Sequence, residues 1–492
     1  MTLLGGLGGL VASIALYELL RWQTVKLVRR RLHDSVEGFI QRHHVQLDHF
    51  RFIDRVWVRQ TLLLDAELGE ETAARARATG VSMLTLRDRI EGWLDEIVPY
   101  FNILSYYKLG GVVAQGLTEA CYELVFDSAG LEAARAQVPR GSVTVYVANH
   151  RSNADYVVLS VGAMRQVALS YAVGEWARVW PLDVLFRSFG SYFVRRGEKD
   201  QLYHSVLERY LQLVAARGLT TAFFLEGGLT RDGRFREPKI GLLDYLIGVL
   251  RREPEREIMF IPVGINYDRV LEDRNLLADT KPTALAKWRS FARMALRAPG
   301  YTLAFFARAA VRSHRKQGYA GVNFGPAIPL TSFMPDAAIV ARLPDAERRP
   351  RIAQAADFLL DRVHGVVPAT PVALVAGPLL AGVTDLTELV RKVREQVAAL
   401  ESAGRPITRG SAFRRTAPTS RPDDAQKEEL DDAIGNSEDA ERIVDLALIL
   451  LERRRLVSRE GGAMRVSPGA ADLLRFYQLS LEPPSHRAFR GP

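Results

Sequence analysis

Cysteine is almost absent from this chain, and its scarcity excludes several kinds of site. Cys121 is the single cysteine in 492 residues, so the chain cannot form an internal disulfide or a zinc site built on several thiolates. The nine histidines lack the paired spacing of a helical metal site, and we predict neither a metal nor a cofactor. The composition fits a reducing compartment.

Acidic residues are fewer than basic ones. The chain has 57 aspartates and glutamates and 66 lysines and arginines, which gives a net charge of +9. This excess suits a nucleic acid, an anionic membrane face or a phosphate-bearing substrate. The length predicts two or three domains with a large core.

Long apolar runs are rare, and the clearest one opens the chain. Residues 2–20 contain one charged residue, Glu18, and arginines and a lysine follow between positions 21 and 31. We predict a membrane anchor or interfacial helix with a basic flank over 1–34, which would hold the chain at the cytoplasmic face of the cell membrane. A second apolar run, 366–383, contains three prolines and is interpreted as core segments of a soluble domain.

The remaining patterns predict an α/β protein with a mixed sheet flanked by helices. Helical spacing dominates 35–140, and strand-like and helix-like segments then alternate within a catalytic domain over 141–365. The predicted strands are 142–147, 169–173, 191–194, 220–225, 259–266 and 321–324. One helix is predicted directly after Asp155, and three more are predicted at 181–189, 199–217 and 241–251.

We predict a mainly helical C-terminal extension over 366–492. It contains a helix over 384–404 that Asp385 can cap, a mobile linker over 405–440, and a hairpin around Gly461-Gly462. A helix followed by a basic hairpin also fits a nucleic-acid module, although no second basic helix precedes it.

His150 and Asp155 lie five residues apart, directly after the predicted strand 142–147. Histidine titrates near neutral pH, so His150 is a candidate general base, and Asp155 is a candidate partner for its other ring nitrogen. On one continuous helix the two side chains would point about 140° apart. They can meet if His150 lies in a loop, Ser152 or Asn153 caps a new helix, and Asp155 falls in its first turn.

Two polar blocks follow at the ends of later predicted strands. Arg195 and Arg196 suit a phosphate dianion, with a solvated surface pair as the alternative. The glycine-rich block 226–228 can bring backbone amides close to a phosphate or an oxyanion, or can serve as an ordinary turn. Arg231 and Lys239 add positive charge after it.

Together with an apolar strand that contains Pro262, these blocks resemble the glycerol-3-phosphate 1-O-acyltransferase family. Its blocks are a histidine, four residues and an aspartate; an arginine pair; Glu-Gly followed by Ser/Thr-Arg; and a proline-bearing strand. The resemblance covers roughly residues 140–330. The chain departs from the glycerol-3-phosphate branch at Leu229-Thr230-Arg231-Asp232-Gly233, where one arginine of that branch is missing, whereas Gly228 favours that branch.

The resemblance implies direct transfer of a fatty acyl group from acyl-CoA or acyl carrier protein to the sn-1 hydroxyl of glycerol-3-phosphate, which gives lysophosphatidic acid. His150 would be the base and Asp155 its partner. The residues implied in substrate binding are Arg195, Arg196, Glu226, Gly227, Gly228, Arg231, Lys239 and Pro262. The alternatives are an acyltransferase for another phosphate-bearing alcohol, such as dihydroxyacetone phosphate or lysophosphatidate, and an inactive scaffold or nucleic-acid-binding protein.

Residues 287–316 hold eight lysines or arginines, no acidic residue and several aromatic residues. This pattern favours contact with membrane lipid, the phosphates of coenzyme A or the acidic face of acyl carrier protein. RNA binding and a solvated helix face are the alternatives, and nucleic acid is not the expected partner.

Overall fold

The computed structural model describes most of the chain after position 54. The described ranges are 55–99, 121–163, 169–174, 190–195, 197–278, 316–409, 437–460 and 463–484, with a few single residues between them. The predicted helix within 1–34, Arg196, nearly all of 287–316 and most of the linker 405–440 lie outside these ranges. No helix in the described ranges is long and apolar enough to span a membrane.

Within the described residues, three helices precede the sheet, in agreement with the helical pattern of this region. They are α1 (Arg55–Leu63), α2 (Ala66–Thr79) and α3 (Met83–Ile97). The side chain of Asp65 accepts from Leu68 N at 2.9 Å and caps α2, and Ser82 caps α3 in the same way at 3.1 Å. Their apolar faces pack on a later helix as one buried cluster.

Within the described residues, eight strands form one mixed sheet, which confirms the predicted α/β architecture. They are β1 (Glu123–Phe126), β2 (Val143–Ala148), β3 (Ser170–Gly174), β4 (Tyr192–Val194), β5 (Thr221–Phe224), β6 (Ile258–Tyr267), β7 (Tyr319–Phe324) and β8 (Ile328–Pro329). All six predicted strands are present, with ends shifted by one or two residues. The prediction missed β8 and also β1, because β1 is short and lies in a region with helical spacing.

The strand order is β1-β7-β6-β2-β5-β3-β4, and β8 pairs with β6. β2 is parallel to both β5 and β6, and β3 is parallel to β4 and β5. The carboxyl ends of these five strands therefore meet at one edge of the sheet, which is where ligands bind in open α/β sheets. Antiparallel pairing of β6 with β7 and β8 makes the sheet mixed.

Helices cover both faces of this sheet. They are α4 (Ser128–Ala136), α5 (Asp155–Ala163), α6 (Gln201–Ala216), α7 (Gly241–Ile247), α8 (Asp273–Ala278), α9 (Ala337–Val340) and α10 (Asp345–Gly365). One core cluster joins α4 and α5 to the face that carries Tyr146 and Ala148, and a second joins α7 and α10 to the face that carries Val145 and Val147. The period-two alternation along β2 thus divides its side chains between two cores. The predicted helix over 181–189 lies largely outside the described residues.

The described part of the C-terminal extension contains α11 (Pro371–Leu380), α12 (Leu386–Ser402), α13 (Ser437–Arg453), the hairpin of β9 (Val457–Glu460) and β10 (Ala463–Val466), and α14 (Ala471–Gln478). The predicted cap of α12 is present, since Asp385 Oδ1 accepts from Glu388 N at 2.8 Å. The extension shares the core cluster of α4 and α5, so it packs directly on the face of the sheet that carries the candidate base.

Candidate active site

The loop after β2 brings His150 and Asp155 together. β2 ends at Ala148 and Asp155 begins α5, so a short loop separates the two residues. His150 Nδ1 lies 2.8 Å from Asp155 Oδ2, and each side chain is at most 1% exposed. Ser152 Oγ accepts from Ala154 N at 3.1 Å in the turn that leads into the new helix. This is the strand, loop and helix arrangement that the spacing requires.

Aromatic rings fix the plane of the His150 imidazole. Phe224 stacks on it with ring centroids 4.1 Å apart, and Tyr156 meets its edge at 5.5 Å. A neutral imidazole that donates from Nδ1 to Asp155 keeps a lone pair on Nε2, which is the atom a general base uses. Within the described part of the chain, Nε2 has no hydrogen-bond partner.

Two side chains tie this loop to β6 and to the segment after it. Asn149 donates to Ile265 O and accepts from Ile265 N, both at 2.8 Å, which extends the pairing of β2 with β6. Glu272 accepts from Ser152 Oγ at 2.8 Å and from Asn153 N at 3.2 Å, and burial raises its pKa. No three His, Cys, Asp or Glu side chains of the described ranges come together as metal ligands.

Glu226 is buried beneath the loop, where both of its oxygens have backbone partners. Oε1 accepts from His150 N at 2.9 Å, and Oε2 accepts from Arg236 N at 2.7 Å. Burial raises the pKa of this carboxyl to about 7, although the two N–H donors and Arg151 act in the opposite direction. The resemblance implied a role in substrate binding for Glu226, and the structure shows that both of its carboxylate oxygens accept from backbone N–H groups of the protein itself.

The glycine-rich block forms a short arch beside the backbone of His150. Glu226 accepts from His150 N at one end of the arch, and Thr230 N donates to His150 O at 3.1 Å at the other. Gly227 has φ +62°, and a Cβ there would lie 2.6 Å from Lys239 Cγ, so this position requires glycine. Gly228, next in the arch, is buried.

Arg231 and Lys239 lie on either side of the turn that follows this arch, and both are exposed. Lys239 is anchored through its backbone, because its N–H donates to Leu225 O at 2.7 Å directly after β5. Two of the predicted cationic side chains therefore belong to the same loop as the arch, at the carboxyl edge of the sheet.

Arg195 has a different environment from the one that the sequence suggested. Its Nε and Nη2 donate to the two carboxylate oxygens of Glu96 at 2.9 and 2.7 Å, and Nη1 donates to Glu198 at 3.3 Å. These bonds raise its pKa further above the ordinary arginine value. The bidentate geometry that suits a phosphate is here satisfied by a carboxylate from α3, so Arg195 braces α3 against the end of β4.

Pro262 lies in the interior of β6, opposite Val147. On its other side, β8 pairs with residues before it and β7 with residues from Val263 onward, so the ladder is interrupted at the proline. Pro262 O accepts from Gly325 N at 2.9 Å, which shows that its backbone faces this interruption. Val263 belongs to the core on the face where His150 stacks, so Pro262 points to the opposite face and the structure does not bring it to His150.

Arg151 is a site residue that the sequence reasoning missed. It is 3% exposed, and it donates from Nη1 to Gly233 O at 2.9 Å and from Nη2 to Phe476 O at 3.3 Å. Burial lowers its pKa, while Glu226 and Asp155 oppose that shift. Arg151 thus connects the loop after β2 both to the loop after β5 and to α14 of the C-terminal extension. Nothing in the sequence around it indicates partners so far along the chain.

Comparison with known proteins finds a family model that overlaps this site. Residues 133–266 match the family model described as acyltransferase, and this range includes β2, β5, the His150–Asp155 pair and the arch. The chain carries an acyltransferase domain. The predicted resemblance is confirmed at this level.

Curated proteins similar to this chain include several that are named glycerol-3-phosphate acyltransferase. The relative from Aeromonas hydrophila is 29% identical over 65% of this chain and 39% of that protein. The one from Shewanella sp. strain ANA-3 is 28% identical over 67% and 40%, and the one from Glaesserella parasuis is 32% identical over 41% and 24%. The chain therefore spans about two fifths or less of the length of these relatives.

One solved structure similar to this chain is the 1-acyl-sn-glycerophosphate acyltransferase of Thermotoga maritima. The identity is 14%, the match covers 61% of this chain and 93% of that chain, and the TM-score is 0.29. At this TM-score the likeness carries no argument, and the assignment of the acyltransferase domain rests on the sequence match and on the site geometry.

Proposed function

We propose that this protein transfers a fatty acyl group from acyl-CoA or acyl carrier protein to the sn-1 hydroxyl of glycerol-3-phosphate and so forms lysophosphatidic acid. The observation that carries this proposal is the buried His150–Asp155 pair inside a domain that matches the acyltransferase family. The names of the relatives support the choice of acceptor.

The chemistry requires a base with a defined tautomer. In the proposed reaction His150 Nε2 removes the proton of the acceptor hydroxyl as the oxygen attacks the thioester carbonyl carbon. Asp155 accepts from Nδ1 and stabilises the imidazolium that forms. The tetrahedral intermediate then expels the thiolate, which takes the proton back from Nε2, so no acyl-enzyme is needed.

The arch supplies candidate donors for the oxyanion of this intermediate. The backbone N–H groups of Gly228 and Leu229 lie between the two bonds that link the arch to His150. Backbone amides beside the base are suited to this task because they are already oriented before the reaction begins.

The acceptor phosphate is assigned to the exposed side chains of Arg231 and Lys239. Both belong to the loop that holds the arch, so a phosphate bound to them would bring its glycerol backbone towards the same edge of the sheet. We do not extend the assignment to Arg195, whose guanidinium already binds Glu96 in a bidentate manner.

The experiment that tests the proposal supplies one labelled acyl donor and several acceptors to the purified full chain. Glycerol-3-phosphate, dihydroxyacetone phosphate and lysophosphatidate are each offered, with acyl-CoA and then with acyl carrier protein. We expect labelled lysophosphatidic acid from glycerol-3-phosphate and little product from the other two. Preferred use of another acceptor would support the alternative acyltransferase, and absence of transfer to any of them would overturn the proposal.

We also propose that the protein associates with membrane lipid at the cytoplasmic face of the cell membrane. The support is the apolar run within 2–20 and the basic, aromatic stretch 287–316. Flotation with anionic vesicles would test it with the full chain and with a chain that lacks residues 1–34. We expect weaker binding after the deletion, with the remainder sensitive to salt. Unchanged binding of the shortened chain at high salt would contradict both contacts.

A further inference from the structure

Tyr267, the last residue of β6, has a hydroxyl aimed at the catalytic pair from the side opposite His150. It is 0% exposed, and its OH donates to Asp155 Oδ1 at 2.6 Å. The two residues are 112 positions apart, and the contact exists because the end of β6 lies beside the loop that leaves β2.

The hydrogen bonds of Asp155 are divided unequally between its two oxygens. Oδ2 accepts from His150 Nδ1 at 2.8 Å, from Arg151 N at 2.7 Å and from Ser152 N at 3.0 Å. Among the described residues, Oδ1 accepts from Tyr267 alone. The tyrosine therefore supplies the contact that holds the second oxygen. Together with the three bonds to Oδ2, it defines the rotation of the carboxylate about its Cβ–Cγ bond.

Tyr267 itself is held firmly enough to act as such a reference point. Its ring packs against Tyr122 with centroids 5.2 Å apart, and its N–H donates to Asn266 Oδ1 at 3.0 Å. Its carbonyl accepts at 3.4 Å from Oγ1 of Thr370, the residue directly before α11. Positioning of a catalytic group depends on neighbours whose own conformations are locked by packing and hydrogen bonds.

We propose that Tyr267 is a positioning residue of the reaction, whose hydroxyl orients Asp155 and shares its negative charge, and so sets the geometry and the basicity of His150. This inference rests on the proposed function and deepens it. It concerns a residue outside the four sequence blocks, and it assigns the hydroxyl a role that packing alone would not require.

The first test is Tyr267→Phe in the full chain, with the pH profiles of kcat and kcat/KM. Loss of a hydrogen bond to a charged group predicts a kcat lower by about 10-fold to 100-fold, with the KM of both substrates little changed. Without the hydroxyl, Asp155 directs more negative charge to His150, so the acidic limb of the profile should move to higher pH by about half a unit.

Tyr203→Phe is the matched control, because Tyr203 is also 0% exposed and its hydroxyl makes a single hydrogen bond to a backbone N–H, that of Arg195. We expect this variant to keep the parental kcat and pH profile. Loss of kcat in Tyr267→Phe without a shift of the acidic limb, or with an equal loss in Tyr203→Phe, would mean a merely structural hydroxyl and would overturn the inference.

A second variant keeps the test decisive if Tyr267→Phe folds poorly. Incorporation of 3,5-difluorotyrosine at position 267 keeps the ring and makes the hydroxyl a stronger donor. The acidic limb should then move to lower pH, the opposite direction to Tyr267→Phe. An unmoved limb in a folded difluorotyrosine protein would overturn the inference.

His150→Ala, measured alongside, separates this inference from the proposed function. If His150→Ala retains activity, the proposed mechanism fails and the role of Tyr267 fails with it. If His150→Ala is inactive while Tyr267→Phe behaves as the parent, only the positioning role is wrong.

Discussion

The two loops that leave β2 and β5 lie side by side at the carboxyl edge of the sheet, yet the polar side chains are buried in one loop and mostly exposed in the other. In the loop after β2, Asn149, His150, Arg151 and Asp155 are buried and bonded to other parts of the protein. Of the polar side chains in the loop after β5, only those of Glu226 and Thr230 are buried, while the cationic side chains are exposed.

The contrast indicates that the first loop orients the proposed base and that the second loop binds the phosphate of the acceptor. A general base must hold one tautomer and one direction, and burial among several hydrogen bonds achieves that. A phosphate arrives with its own charge and can be bound by exposed cations on a loop that is anchored through its backbone. The comparison predicts that substitutions in the first loop lower kcat and that substitutions in the second raise the acceptor KM.

The largest expected effect is that of His150→Ala, which removes the base from the first loop. We expect kcat to fall by about 10³-fold or more, since general acid–base catalysis contributes factors of this order. The measurement is acyl transfer at saturating substrate, with the thermal midpoint as a check of folding. His364→Ala serves as control, because His364 is hydrogen-bonded to Leu481 O and lies apart from the pair. Activity of His150→Ala within tenfold of the parent would show that His150 is not the base.

Asp155→Asn should have the next largest effect, with kcat lower by about 10²-fold to 10³-fold. An asparagine can present its oxygen to His150 and the two backbone donors while its amide nitrogen faces the hydroxyl of Tyr267, so the geometry survives but the charge is lost. Steady-state kinetics should therefore show a lower kcat with nearly unchanged KM values. A raised acceptor KM at normal kcat would contradict a role in orienting and stabilising the imidazole.

The second loop is tested by Arg231→Ala and Lys239→Ala, each of which should raise the KM for glycerol-3-phosphate by about tenfold. The KM for the acyl donor and kcat should change little. Arg195→Ala is the informative contrast, because loss of its bidentate contact with Glu96 should lower the free energy of unfolding by about 1 kcal/mol without affecting the acceptor KM. If Arg231→Ala and Lys239→Ala raise only the donor KM, these side chains serve the donor and the acceptor site lies elsewhere.

The last prediction concerns stability rather than catalysis, through Glu226, whose pKa is raised from 4.5 to about 7 in the folded protein. The folded chain therefore binds this proton more tightly than the unfolded chain does. Its contribution to the free energy of unfolding falls as the pH rises between these two values, by a few kcal/mol at most.

Glu226→Gln should make the free energy of unfolding less dependent on pH. It should also remove one hydrogen bond, because one of the two backbone N–H donors would then face the amide nitrogen of glutamine. Denaturant titrations at several pH values between 4.5 and 7.5 measure the free energy of unfolding of parent and variant. The contributions of other buried carboxyls, such as Asp268, cancel when the two proteins are subtracted. Parallel curves for the two proteins would contradict a buried carboxyl with a raised pKa.

Much of the sheet and the catalytic pair could be predicted because the signals are local. The alternating valines of β2, the turn residue Ser152 and the interval from His150 to Asp155 all lie within about a dozen residues of one another. Period-two hydrophobicity and loop geometry then sufficed to bring the base and its partner together.

The supporting contacts could not be predicted, because their partners are remote in the sequence. Arg195 lies 99 positions from Glu96, and Arg151 lies 325 positions from Phe476. An arginine pair at a strand end fits a phosphate and a distant carboxylate equally well, and only the tertiary fold decides between them. The contact of Tyr267 with Asp155 was missed for the same reason.

The most direct test of the central claim is a competition in one reaction vessel between glycerol-3-phosphate and lysophosphatidate for a limiting labelled acyl donor. Parent protein, His150→Ala and Arg231→Ala are compared at equal concentration, and released thiol is measured with the labelled lipid. For the parent we expect labelled lysophosphatidic acid to form in step with thiol release. For Arg231→Ala we expect reduced product that excess glycerol-3-phosphate restores, and for His150→Ala we expect no product. Equal product from His150→Ala and the parent, or product from lysophosphatidate alone, would contradict the claim.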